Sequence, residues 1–188
     1  MMKKVSFFLL GAAFLASSLA FVAPKNPKAP ITLAVQSDKS RVDFIGSKAA
    51  DFHTGTFAVK GGSVQVEGGK LVGGSFVIDL ANLKVTDAAG DKLAGHLKSA
   101  DFFDVAKFGE AVYTISSVDY SSASACTING TLNIKGVGVP VSFAANIRSA
   151  SEKGLFGQAY FSLDRTLLGI AYAGPSKDVQ IAVHLFAK

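Results

Sequence analysis

Apolar and polar side chains alternate with a period of two along most of the chain beyond residue 30. Cys126, Ile128, Gly130, Leu132 and Ile134 share one face of a segment whose other face carries Thr127, Asn129, Thr131, Asn133 and Lys135. The same alternation runs through Val139, Val141, Phe143, Ala145 and Ile147, through Leu155, Gly157, Ala159, Phe161 and Leu163, and through Val179, Ile181, Val183 and Leu185. Successive side chains of a strand point to opposite faces, so each segment predicts a strand with one dry face. Lys135, Gly136, Val137 and Gly138 predict a tight hairpin between the first two.

The first half is less regular and predicts strands over 31–36, 41–48, 55–67 and 71–80, with a further one over 111–118. Apolar parity switches from Phe57 and Val59 to Val64 and Val66 across Gly61 and Gly62. Such a switch needs a bulge or a turn, and two glycines supply the freedom for it. Gly68 and Gly69 predict the next turn, after which Phe76, Ile78 and Leu80 face one way. Residues 87–99 break the pattern: Leu93 and Leu97 stand at i, i+4, Asp87 is placed to cap a helix, and Lys98 lies near its far end. This segment, with Phe102, Phe103 and Val105 after it, predicts a short helical cap over one end. About nine or ten strand segments of this length, one after another, imply an all-β antiparallel barrel of about eight strands or a sandwich rather than a parallel sheet.

The interior of such a barrel is either filled by side chains or left open for one small ligand. Gly130, Ala145, Gly157 and Ala159 predict some empty volume inside. The alternative is that Phe57, Phe76, Phe143 and Phe161 fill it.

The N-terminal residues follow a different logic. Lys3 and Lys4 precede an apolar run from Val5 to Ala16, and in Ser18-Leu19-Ala20 the small residues Ser18 and Ala20 stand at the processing positions. That is the form of a secretory signal peptide over 1–20, expected to be removed after Ala20. An uncleaved anchor is the alternative, because Phe21, Val22 and Ala23 prolong the apolar run. Residues 21–30 read as a Pro-rich linker, and 31–188 as the barrel domain. Without residues 1–20 the 19 basic residues become 17 against 14 acidic ones, a net charge of +3. The lysines are scattered and not interleaved with aromatics, so a nucleic-acid partner is not expected.

Little in the composition advertises chemistry. Cys126 is the one cysteine, which excludes an intrachain disulfide and favours burial of the thiol. His53, His96 and His184 are not at metal-ligand spacing, so no metal is expected. Neither a nucleophile elbow nor a phosphate-binding glycine loop is present, so no cofactor and no catalytic residue are assigned. Asp164 and Arg165 at a strand end read as a charge-assisted pin of a turn, with headgroup contact as the other reading.

Three stretches carry a family likeness: 95–108 (GHLKSADFFDVAKF), 129–141 (NGTLNIKGVGVPV), and Leu163-Asp164-Arg165-Thr166 with Gly169-Ile170 and Asp178-Val179. On these, together with Lys48 and the run His53-Thr54-Gly55-Thr56, the chain resembles the YceI-like family, also described as polyisoprenoid-binding, over residues 31–187. It departs from that pattern at Gly109, where Pro is usual, and at Gly138, where Thr is common. The resemblance implies an extended lipocalin-like antiparallel barrel, exported to the periplasm or beyond, that holds an isoprenoid lipid or other long amphiphile for transport or storage. Transient contact with a membrane or a carrier protein goes with that role. Strand parity then nominates Phe57, Phe76, Ile78, Cys126, Ile128, Leu132, Val141, Phe143, Ile147, Phe161 and Leu163 as ligand contacts. Leu97, Phe102 and Phe103 of the cap would meet one end of the ligand, and Arg165 is the strongest donor for its head. The competing reading is a closed-core structural or stress-related adaptor that binds another protein by its surface.

Overall fold

In the computed structural model, which describes residues 29–188, the alternating segments form nine strands, every pairing antiparallel. The expected signal peptide and the linker up to residue 28 lie outside the described residues. The strands are β1 (Ile31–Ala34), β2 (Arg41–Lys48), β3 (Asp51–Glu67), β4 (Lys70–Val85), β5 (Glu110–Tyr120), β6 (Ala125–Ile134), β7 (Val137–Ser151), β8 (Gly154–Asp164) and β9 (Asp178–Ala187). One α-helix, α1 (Gly90–Lys98), follows β4, and a 3-10 turn covers Arg165–Leu168.

Strands β2 to β9 pair in the order β3-β2-β9-β8-β7-β6-β5-β4, and β4 returns to β3. That is a closed eight-stranded barrel, which leaves no unpaired sheet edge around the ring. β1 completes the slot that β2 leaves short. It pairs with the second half of β3, Ile31 opposite Val66, while Val35 bridges Ala187 at the end of β9. Ser40 holds the turn between them, its Oγ accepting from the Phe186 amide at 2.9 Å.

β3 and β4 are long, and each changes its buried parity near its glycines. Val59 and Val64 are both buried although the spacing between them is odd, with a register irregularity between Val59 and Gly61. On β4 the buried set changes from Leu71 to Phe76 and Leu80. Gly62 and Gly74 lie where the two backbones come closest, at φ of +135° and +132°. A Cβ on Gly62 would stand 2.2 Å from the Ser75 carbonyl oxygen, and one on Gly74 2.4 Å from that of Ser63. The glycines therefore do two things: they turn the strands over, keeping apolar residues inside along their whole length, and they let the sheet close.

The cap is where the sequence reading needs correction. Asp87 does not cap the helix, because Gly90 at φ +46° turns the chain first and Ala89 takes the N-cap position without a side-chain bond. Asp87 has a different task. Its carboxylate accepts from Ala89 N at 2.8 Å and from Thr54 N at 2.7 Å, tying the entry of α1 to β3. Lys135, at the β6–β7 turn, donates to the Phe102 carbonyl at 2.5 Å and holds the other side of the cap.

Gly62→Ala introduces a backbone collision in the closing pair, so it should cost about 1–3 kcal/mol in urea unfolding. Gly46, whose Cβ would meet nothing within 4 Å, is the matched control and should tolerate Ala within a few tenths of a kcal/mol.

Candidate functional site

The antiparallel order puts the β2–β3 hairpin, α1, the β6–β7 turn and the 165–177 segment at one end of the barrel. Beneath them lies an apolar cavity of about 210 Å³. A second void of about 30 Å³ lies deeper, among Leu71, Ile115, Ile128, Ala145, Ile147, Leu155, Gly157, Ala159 and Leu185. Phe76, Tyr113, Phe143 and Val183 border both spaces, so they form a floor between them.

The floor is built from aromatic rings in contact. Phe76 and Tyr113 have centroids 5.7 Å apart, Tyr113 and Phe143 5.4 Å, and Phe143 stacks on Phe161 at 4.4 Å and 5°. Tyr113 reaches over β6 and donates its hydroxyl to the Val141 carbonyl of β7 at 2.9 Å. Burial pushes its pKa up to about 12, which keeps it a neutral donor through the ordinary pH range. Gly130 makes the crossing feasible, since a Cβ there would lie 2.6 Å from the Tyr113 ring.

The roof is the cap. Leu93 and Leu97 of α1, with Phe102 and Phe103, line the cavity from above. Phe103 meets Phe57 edge-on at 5.6 Å, and Phe57 meets Phe44 at 5.1 Å. His96 packs against Phe102 at 5.0 Å and Tyr172 at 5.1 Å, so it joins the cap to the 165–177 segment through ring contacts. Arg165 organises that segment. Its guanidinium is buried and donates to the carbonyls of Ser176, Ile170, Tyr172 and Pro175 at 2.6–2.9 Å. Four of its five N–H groups are thus engaged by backbone. Asp164 accepts from Thr166 N at 2.9 Å and lies 3.5 Å from Lys177. The turn-pinning reading of this pair describes the geometry, with each residue pinning separately.

Twelve of the fifteen nominated contacts border the main cavity: Phe57, Phe76, Ile78, Leu97, Phe102, Phe103, Leu132, Val141, Phe143, Phe161, Leu163 and Arg165. Ile128 and Ile147 are below the floor at the small void, and Cys126 borders neither space. Parity was the right rule for inward orientation, but it carries no information about depth. The small residues mislead for the same reason. Gly130 is covered by Tyr113, and Ala145, Gly157 and Ala159 surround the minor void, where a Gly157 Cβ would already be 3.3 Å from Ile147. Val42 and Phe44 of β2 and Ala111 and Tyr113 of β5 were missed, although both strands show the alternation that would have found them. Ser47, Lys48, His53 and Ser176 were missed as well; they reach the cavity edge, where Lys48 and Ser176 are exposed. Cys126 is buried, and burial raises its thiol pKa, which disfavours the reactive thiolate. Among the described residues no group of three His, Cys, Asp or Glu is placed to hold a metal.

A closed eight-stranded antiparallel barrel with an apolar interior and one short helix over its end is a lipocalin-like architecture able to enclose a hydrophobic ligand. Residues 33–187 match the family model of the YceI-like domain, and the chain belongs to that family. A UPF0312 protein of Vibrio vulnificus is 29% identical over 114 residues, a match covering 58% of this chain and 59% of that relative. The crystal structure of Burkholderia cenocepacia BcnA superposes with a TM-score of 0.70 at 18% identity, over 82% of this chain and 99% of that one. A polyisoprenoid binding domain from Saccharophagus degradans, implicated in plant cell wall breakdown, gives 0.65 at 18% identity, over 83% of this chain and 97% of its own. At these identities the two structures share the fold.

Two predictions arise from this geometry. Ala145→Phe adds bulk below the floor, where the void of about 30 Å³ is too small for a ring, and should cost about 1–3 kcal/mol in chemical unfolding. The Ala89 and Thr54 amides hold the Asp87 carboxyl below its usual value of 3.8. A lowered folded pKa stabilises above the unfolded value and is lost as pH falls through the folded one. The difference in melting temperature between the wild type and Asp87→Ala should therefore be full at pH 6 and shrink as pH falls below about 3.8.

Proposed function

We propose that this protein is an exported, non-enzymatic carrier or store for an isoprenoid lipid, such as a quinone or polyprenyl chain, whose tail occupies the cavity above the aromatic floor. The observation that carries this reading is the cavity itself: about 210 Å³ of apolar space beneath a cap and open at one edge. Engineered apolar cavities of about 150 Å³ already take up benzene. Transfer of each CH₂ from water contributes roughly 0.8 kcal/mol. Ten such groups give about 8 kcal/mol, micromolar binding before ordering costs.

The space is smaller than the 300–1,000 Å³ typical of drug-sized ligand sites. It therefore takes a short length of chain at rest, and a longer one requires Phe57, Phe103 or Phe161 to swing aside. Polyisoprenoid binding by the Saccharophagus domain, which shares this fold, supports the choice of ligand class. Phe52, Leu167 and Tyr172 are exposed at the same end as the cavity, as delivery to a membrane or an apolar carrier protein would require. Export rests on the expected signal peptide, and the periplasm, with the extracellular space as the alternative, on the family resemblance.

The closed-core adaptor has one feature in its favour, the packed lower half of the lumen. The open space above the floor favours the carrier.

Native mass spectrometry of protein purified from its own host should show a bound lipid mass, released by organic extraction. Val141→Phe and Val179→Phe fill the upper space and should lower occupancy about tenfold, equivalent to roughly 1.4 kcal/mol, with the circular dichroism spectrum unchanged. A ligand-free wild type that also takes up no added isoprenoid would reject the carrier and leave the adaptor.

A further inference from the structure

We propose that the cavity edge between the β2–β3 hairpin and the 165–177 segment is a subsite for an uncharged polar headgroup, so that amphiphiles enter tail-first and leave a hydroxyl, carbonyl or amide head there. This rests on the lumen being the lipid site and narrows the ligand class it takes.

The polar groups deeper in the wall are already engaged. Tyr113 donates to Val141, and Arg165 is committed to four carbonyls of the 165–177 segment. A head buried against that wall would lose its hydrogen bonds to water without replacement, at a cost of roughly 1–3 kcal/mol. The polar side chains that remain along the cavity are Ser47, Lys48, His53 and Ser176. They converge from two segments, joined where Ser176 N donates to the Ser47 carbonyl at 2.7 Å.

Charge at this edge is balanced. Lys48 Nζ is 3.4 Å from Asp51, and His53 lies between Asp87 at 3.4 Å and Asp51 at 3.9 Å. Beyond them Lys177 pairs with Asp164. Lys48, Arg165 and Lys177 thus oppose Asp51, Asp87 and Asp164, with each cation paired or enclosed. Of the cations that line the cavity, Lys48 is paired with Asp51 and Arg165 is enclosed by backbone carbonyls, so neither stands free to offset the desolvation of a phosphate or carboxylate. A neutral head faces no such cost and finds both donors and acceptors, since Lys48 and His53 can give hydrogen bonds and the Ser47 and Ser176 hydroxyls can accept them.

Displacement of the uncharged fluorophore N-phenyl-1-naphthylamine by farnesol and by farnesyl phosphate compares two heads on one chain. Farnesol should displace it at a concentration about tenfold lower, a difference of roughly 1.4 kcal/mol. Asp51→Lys, at an exposed hairpin position, should improve farnesyl phosphate several-fold and leave farnesol nearly unchanged; Lys48→Glu should weaken the phosphate further. Equal displacement by the two heads, or a preference for the phosphate, overturns the subsite while leaving the carrier intact. An Asp51→Lys protein with the wild-type ratio overturns its location. Failure of the fluorophore and both competitors to bind removes the carrier reading itself.

Discussion

The lumen of an eight-stranded barrel has to be divided between packing and space, and here one side chain sets the division. Tyr113 crosses from β5 over Gly130 and ends on the Val141 carbonyl. Phe76 and Phe143 lean on its ring, and Phe161 stacks on Phe143. Below that layer the aliphatic side chains leave only a small void, and the barrel has an ordinary core. Above it the wall remains apolar and incompletely filled. Stability and ligand capacity are thus assigned to different halves of one sheet, which explains how a chain with no disulfide can keep a cavity at all. The packed half stabilises a fold whose other half forgoes dispersion contacts.

The cap makes the upper space usable. Asp87 anchors the helix entry to Thr54, Lys135 anchors the exit side to the Phe102 carbonyl, and His96 and Phe102 close against Tyr172. These are a few local attachments around a short helix with a single buried residue, Ala94. Such an element opens more cheaply than any strand of the ring, where release requires breaking a ladder on each side. A cap of this kind suits exchange of a ligand larger than the resting opening.

Much of this was legible in the residues. The alternation at 126–134 and 139–147 specified strands and their dry faces, and Gly61 and Gly62 announced the parity switch in β3. Cap residues Leu97, Phe102 and Phe103 were identifiable because bulky apolar groups after a short helical segment need something to cover. Depth along the barrel was not legible, because a period of two orders side chains as in or out and says nothing of their height. Ile128 and Ile147 were therefore grouped with Leu132 and Val141, although the floor lies between them. Gly130 looked like empty space because its partner Tyr113 lies on a different strand, and only the pairing of β5 with β6 brings them together. Arg165 looked like an available donor because the carbonyls that engage it belong to residues 170–176, a stretch with no pattern of its own.

The most direct measurement is anomalous scattering from a crystal of the protein soaked with a long-chain alcohol brominated at its tail terminus. Tail-first occupancy of a space that ends at the aromatic floor places the bromine against Tyr113 and Phe143, with the hydroxyl near Lys48 and His53. Bromine at the cavity edge, or bromine found only on the outer surface with the upper space empty, would contradict it.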